Sequence, residues 1–205
     1  MRASWVRLHS PASGAPDPLA AAVVAQDLDL VRRVRLGDEA AFEQIFRTYY
    51  VRLVSFARTG IDSQDLAEET VQEVFLHIWM RRESWVVERS LAAYMFRAVR
   101  NRISNARRSL KLETCYNADI ARETDGGPDV PCDGRLREAE IEAALAKAVA
   151  LLSDRARQVF LLSRRQHLTY AEIAEVLGIG VKTVEMHMAR ALSQLRLALS
   201  EWRQP

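Results

Sequence analysis

An all-α protein built as two small helical domains joined by a flexible linker is the fold class that this sequence predicts. Three observations carry that prediction. From Asp27 onward the apolar residues recur with the 3.6-residue period of a helix and never give way to strand alternation. A helix-poor stretch, residues 110–134, holds Thr124-Asp-Gly-Gly-Pro-Asp-Val-Pro131 and divides the periodic segments into two groups. The chain has 205 residues, 49% of them apolar and 27% charged, which suits folded domains and is enough for one or two small cores.

Taken in order, residues 1–26 read as a loosely ordered extension with no assigned role. Their short apolar run, Leu19–Ala25, lacks the basic-then-hydrophobic order of a signal peptide. Leu28, Val31 and Val34–Leu36 form a short helix that stops at Gly37. Asp38 caps a longer helix whose apolar stripe is Phe42, Ile45, Phe46, Tyr49, Leu53 and Phe56, ending near Gly60. A third helix spans about Asp65 to Arg81, with Ala67, Val71, Val74, Phe75 and Ile78 inward and Asp65, Glu68, Glu69 and Gln72 outward. After a turn at Ser84–Arg89 a fourth runs from Ser90 to Arg108, closing a first domain at 27–109. Beyond the linker, the domain at 135–205 opens with a helix from about Leu136 to Leu152. Ser153 then caps Asp154–Arg165. Thr169-Tyr-Ala-Glu172 is a capping box that starts a short helix ending at Leu177, with Gly178 free to take positive φ, and a last helix runs from Val181 to about Trp202.

The segment Thr169–Arg190 has the architecture of a helix-turn-helix. The first helix is short, Ala174 is small where two helices approach, Gly178 sits at the turn, and Ile173, Leu177, Ile179, Val184 and Met188 supply a shared core. With Val184, Met188, Ala191 and Leu195 inward, Lys182, Thr183, Met186, His187 and Arg190 occupy the outer face, where they can reach base edges and phosphates. The bland alternative, a solvated face of a helical hairpin, fits the cap, the small residue and the glycine less well together.

Charge is segregated although the net value is only +2. Leu91–Leu112 holds six Arg/Lys and no acid, whereas Asp62–Glu73 holds five acids and no base, a division that suits two different partners. On the fourth helix Tyr94, Arg97, Asn101, Ser104 and Arg108 share a stripe, with Arg100 and Arg107 beside it and Leu91, Met95, Ala98, Val99 and Ile103 behind. Basic residues interleaved with aromatic and amide groups suit a single strand whose bases have left the duplex. Trp79 reads as a core anchor rather than a base platform, and Trp85 is open between the two. The acidic third helix would repel DNA, so it faces solvent or docks on a basic protein surface; composition alone favours solvent.

Four segments in order, Gly37-Asp-Glu-Ala-Ala-Phe42, Ala67-Glu-Glu-Thr-Val-Gln-Glu-Val-Phe-Leu-His-Ile-Trp79, Tyr94-Met-Phe-Arg-Ala-Val-Arg-Asn-Arg102 and Leu168-Thr-Tyr-Ala-Glu-Ile-Ala-Glu-Val-Leu-Gly178, resemble the conserved regions of the extracytoplasmic-function sigma factors of the sigma-70 family. The resemblance spans about Leu28 to Leu199 apart from the linker. It implies that the first domain is similar to the sigma region 2 helical bundle, whose acidic helix, here Asp65, Glu68, Glu69, Gln72 and Glu73, docks on the β′ clamp coiled coil of core RNA polymerase. The turn at Arg81–Arg89 and the fourth helix, here Arg89, Tyr94, Arg97, Arg100, Asn101, Ser104 and Arg108, would capture and melt the −10 element. The second domain would resemble the region 4 helix-turn-helix, gripping the β flap while Lys182, Thr183, Met186, His187 and Arg190 read the −35 element in duplex DNA. An anti-sigma partner is implied by analogy with the family. Gly180 and Thr70 depart from the family pattern, the first with a small loss of capping.

Other function classes are excluded or less well supported. There is no P-loop, HExxH or GxGxxG, and His9, His77, His167 and His187 are scattered, so no enzyme, cofactor or metal is expected. Cys115 and Cys132 lack neighbours at metal-ligand spacing and support neither zinc nor a disulfide scaffold, which suits the reducing cytoplasm. No run approaches the roughly 18 apolar residues of a membrane span, so no stable membrane insertion is expected. The rival is a LuxR-type activator that binds duplex DNA as a dimer without core polymerase. It calls for an α/β domain upstream, whose strand pattern is missing from the sequence. A helical adaptor binding only protein leaves the acid-free Arg stripe unexplained.

Overall fold

The computed structural model describes residues 18–114 and 136–199, with side-chain surroundings for 24–105 and 143–199. Cys115, Cys132, the side chains of Arg107 and Arg108, and most of the expected linker lie outside the described residues. Eight α-helices and no strand are found among the described residues: α1 Pro18–Arg35, α2 Glu39–Ala57, α3 Gln64–Met80, α4 Leu91–Thr114, α5 Leu136–Ala150, α6 Asp154–Arg164, α7 Tyr170–Leu177 and α8 Val181–Ala198.

Local chemistry explains most of the boundaries. Gly37 takes φ +89, which ends α1 and allows the chain to reverse. Asp38 then caps α2 by accepting from the Ala41 N–H at 3.1 Å, and the Arg33 guanidinium donates to its other oxygen at 2.8 Å. Those two bonds hold the Asp38 carboxyl below the usual carboxylate range. Ser63 caps α3 through the Leu66 N–H. Thr70 is buried on α3, and its hydroxyl donates to the Leu66 carbonyl at 2.7 Å, which satisfies the polar group placed where the family pattern is apolar. Ser153 sits at the N-cap of α6, but its side chain makes no capping bond, contrary to expectation.

Two helices are longer than the sequence reading gave. α1 begins at Pro18, not near Asp27: proline is pre-organised for the first helical turn and the Ala/Val run after it propagates the helix. α4 continues to Thr114, past the expected linker onset at residue 110, because nothing in Arg107–Thr114 breaks a helix.

The α1–α4 core follows the expected stripes. Ile45, Tyr49, Leu53 and Phe56 of α2 and Ala67, Val71, Val74, Phe75 and Ile78 of α3 are all buried, while Leu36, expected as the last residue of the first helix, lies just past its end at Arg35 and is 84% exposed. Phe42 stacks at a tilt on Trp79 with centroids 4.9 Å apart, which supports Trp79 as an anchor. Trp85 is buried as well, edge-on to Tyr94 at 5.9 Å. This apolar cluster does not stop at the first domain. It runs on through Val159, Leu162, Leu168, Ile173, Ala174, Val176, Leu177, Val184 and Met188, so the two helical groups share one core along α4 and α7.

Candidate nucleic-acid interface

The helix-turn-helix forms as the sequence indicates. The Thr169 N–H donates to Glu172 Oε2 at 2.8 Å and the Glu172 N–H donates to Thr169 Oγ1 at 3.3 Å, a complete capping box at the start of α7. Gly178 ends α7 in the left-handed region at φ +64. Ile173, Ala174, Val176 and Leu177 of α7 share a buried cluster with Val184 and Met188 of α8, while Ala191 and Leu195 of α8 are buried with Ala148, Leu152 and Ala156, which fixes the rotation of α8 about its axis. Lys182, Met186 and Arg190 are exposed on the opposite side, with Thr183 and His187 half-buried at its edge. His187 Nδ1 is buried and has no hydrogen-bond partner. Gly180 stands at the N-cap of α8 with no side-chain bond, leaving first-turn N–H groups of α8 without a side-chain acceptor.

On α4 the expected backing residues Leu91, Met95, Val99 and Ile103 are buried, while Ala98 is half-buried. The buried arc also takes in Ala93 and Phe96, which the sequence reading did not assign. Phe96 packs edge-on against Phe56 at 5.3 Å and beneath the Arg52 guanidinium, whose carbon lies 5.5 Å from its ring centroid. Of the expected stripe, Arg89, Asn101 and Ser104 are exposed and Tyr94 is half-buried against Trp85.

Arg97 and Arg100 are held by the second domain. Arg97 Nη1 lies 3.7 Å from Glu175 Oε1, and Arg100 Nη1 donates to the Val176 carbonyl at 3.0 Å. Burial, and the nearby Arg155 guanidinium, lower the pKa of Arg100 from its ordinary value. Ser90 Oγ caps α4 by accepting from the Ala93 N–H and donates to Glu172 Oε1 at 2.5 Å. Arg52, set between the Tyr49 and Phe96 rings, donates to the Gln166 carbonyl in the bend before α7. His167, the next residue, takes φ +56 in that bend. Sequence reasoning missed Ser90, Arg52, Glu175 and Gln166. Each makes its contact across more than 70 positions of chain, and such pairings leave no local signal.

The acidic face of α3 points outward. Asp65, Glu69, Gln72 and Glu73 are exposed and Glu68 is half-buried. Gln64 donates to Glu68 at 2.9 Å, Gln72 Nε2 donates to the Tyr50 hydroxyl at 3.5 Å, and Arg102 of α4 forms an ion pair with Glu73, so three of the five expected docking residues already have partners within the chain. Leu76 and Met80 continue the exposed side of α3 as apolar residues, 58% and 72% exposed. Among the described residues there is no cluster of three His, Cys, Asp or Glu able to hold a metal ion, and no helix long and apolar enough to cross a membrane.

Comparison with known proteins gives these surfaces a context. The family model for sigma-70 region 2 matches residues 45–113 and that for sigma-70 region 4 matches residues 142–195. The chain is 25% identical over 179 residues to the ECF RNA polymerase sigma factor SigW of Bacillus subtilis, covering 83% of this chain and 95% of that one. It is 27% identical over 163 residues to the ferric citrate uptake sigma factor FecI of Escherichia coli, covering 78% and 92%. Among solved structures it resembles the sigma factor RpoE in complex with the anti-sigma factor NepR from Bartonella quintana, with a TM-score of 0.62 at 22% identity over 78% of this chain and 96% of that one. CnrH in complex with the cytosolic domain of CnrY is also similar, with a TM-score of 0.59 at 23% identity over 85% and 97%. The structural likenesses show the same fold.

Proposed function

The chain belongs to the sigma-70 family of transcription initiation factors, in its extracytoplasmic-function group, and from that premise we propose how its surfaces divide the work. Residues 27–109 act as region 2 and residues 135–205 as region 4, with 110–134 as the tether between them. The exposed α3 face of Asp65, Glu68, Glu69, Gln72 and Glu73 docks on the β′ clamp coiled coil of core RNA polymerase, where acids meet a basic surface. Arg89, Tyr94, Arg97, Arg100, Asn101, Ser104 and Arg108 take the melted −10 strand. Lys182, Thr183, Met186, His187 and Arg190 read the −35 duplex from the major groove, while apolar residues of region 4 grip the β flap.

Melting then needs no nucleotide hydrolysis and no catalytic group on this chain. Each base stacked on a protein surface contributes roughly 1–3 kcal/mol, which offsets the few kcal/mol needed to unstack and unpair it, and Arg residues neutralise the strand's phosphates. The chain acts in the cytoplasm, and an anti-sigma protein holds it inactive; the RpoE structure that it resembles is a complex with the anti-sigma factor NepR.

The observation that carries this reading is the coexistence of a helix-turn-helix whose outer face is free with a second helical unit that exposes an acidic helix. A LuxR-type activator has use for the first and none for the second. Run-off transcription with core polymerase on a genomic promoter library tests it: specific starts that depend on both proteins are expected. A footprint by the chain alone on duplex DNA, unaffected by core enzyme, would favour the activator instead.

A further inference from the structure

Three arginines along the seam between the two helical groups are engaged within the chain: Arg52 with the Gln166 carbonyl, Arg97 with Glu175 and Arg100 with the Val176 carbonyl. Arg58 and Arg165 differ. Arg58 is the C-cap residue of α2 and Arg165 that of α6, and both line one cleft of about 460 Å³. Both are exposed, and neither guanidinium has a hydrogen-bond or ion-pair partner among the described residues. A helix C-terminus by itself explains a cation held on its last carbonyls, as the Arg82 guanidinium donates to the Trp79 carbonyl after α3. Arg58 and Arg165 make no such bond.

Two guanidiniums in one cleft repel unless an anion shares them, and no acid is among the lining residues. The planar fork of arginine suits phosphate oxygens, two at a time. Around the pair, Ser55 adds a hydroxyl without a partner among the described residues, and Gln64 keeps a second amide N–H after its bond to Glu68. Val51 and Val54 supply an apolar wall, and Val51 is 73% exposed. The volume falls within the roughly 300–1,000 Å³ of small-molecule sites. The bond from Arg52 to Gln166 joins the chain neighbours of Val51 and Arg165, so the two sides of the cleft are tied beside it.

We propose that this cleft binds a small phosphomonoester: Arg58 and Arg165 share the phosphate, and a compact apolar body lies on Val51 and Val54. None of the lining residues belongs to the surfaces assigned to polymerase or DNA, so the inference stands apart from those assignments. Because each helical group supplies one arginine, a bound ligand adds a bridge between them and stabilises the folded chain by mass action.

The test uses the full chain and adenosine 5′-monophosphate, with inorganic phosphate and adenosine as its two halves. Calorimetric titration should show one binding event with a dissociation constant on the order of 10⁻⁴ M, as suits an open cleft. Phosphate should bind more weakly, and adenosine not measurably. Arg58→Gln and Arg165→Gln should each weaken the monophosphate about tenfold while leaving the circular dichroism spectrum unchanged. Arg196→Gln, the same loss of charge on the exposed surface of α8, should leave its affinity unaltered. In amide spectra of the labelled chain, shifts on titration should centre on Val54–Thr59 and Arg165. Shifts centred on α4 or α8 would place the nucleotide on a nucleic-acid surface and overturn the site, as would an affinity indifferent to both arginine variants or the lack of any binding. Adenosine binding as tightly as the monophosphate would overturn phosphate recognition, and phosphate binding as tightly would remove Val51 and Val54 from the site.

Discussion

Arg97 and Arg190 illustrate how differently two exposed arginines are placed. Arg190 stands on the open side of α8, so Arg190→Ala or Lys182→Ala should weaken −35 binding by roughly 1–3 kcal/mol per base contact. Electrophoretic mobility of holoenzyme on −35 variants measures this, and a loss that is uniform across sequences would mark the residue as a phosphate contact only. Arg97 leans on Glu175, and on the proposed reading it must leave that acid to reach the strand. Arg97→Ala should therefore impair open-complex formation on duplex promoter DNA more than on a pre-melted template. Permanganate footprinting of the two templates separates the outcomes, and equal defects would remove Arg97 from strand capture.

Among the helices, α7 is the most completely written in local sequence. Its cap, its small residue and its terminal glycine all lie within ten positions, and each is found where expected. Thr169→Ala should cost about 1 kcal/mol of stability through loss of the cap, read as a lowered melting temperature with α8 destabilised alongside. A melting temperature equal to the parent's would show that the Glu172 side chain alone sustains the cap. The stripes of α2 and α3 were equally legible, because burial on one side of a helix imposes a period that the apolar residues must follow. Legibility failed where a helix carries two buried sides. Phe96 lies outside the arc expected of α4 because α4 buries a wider arc than that, packing on α1, α2, α3 and α7, with Phe96 itself against Phe56 of α2. It failed also at the ends of α1 and α4, where helix propensity continues and no breaker stands.

At the scale of the whole molecule the two helical domains expected from the sequence are present, and an apolar cluster continues from one to the other along α4 and α7. The acidic face of α3 stays outside that cluster, so partner docking does not require the lobes to part. Association with core polymerase should weaken as salt rises, since exposed charges more than about 10 Å apart are screened at 0.1 M. Combined Glu68→Lys and Glu69→Lys should abolish co-purification at low salt while leaving the circular dichroism spectrum unchanged. Retention on core enzyme would move the docking surface elsewhere. Glu172 joins these scales in a single side chain: Oε2 accepts from the Thr169 N–H and hydroxyl, whereas Oε1 accepts from Ser90. Releasing Ser90 therefore leaves the other oxygen's bonds in place. The first turn of α7 is thus wound by bonds of its own, independent of the contact with α4.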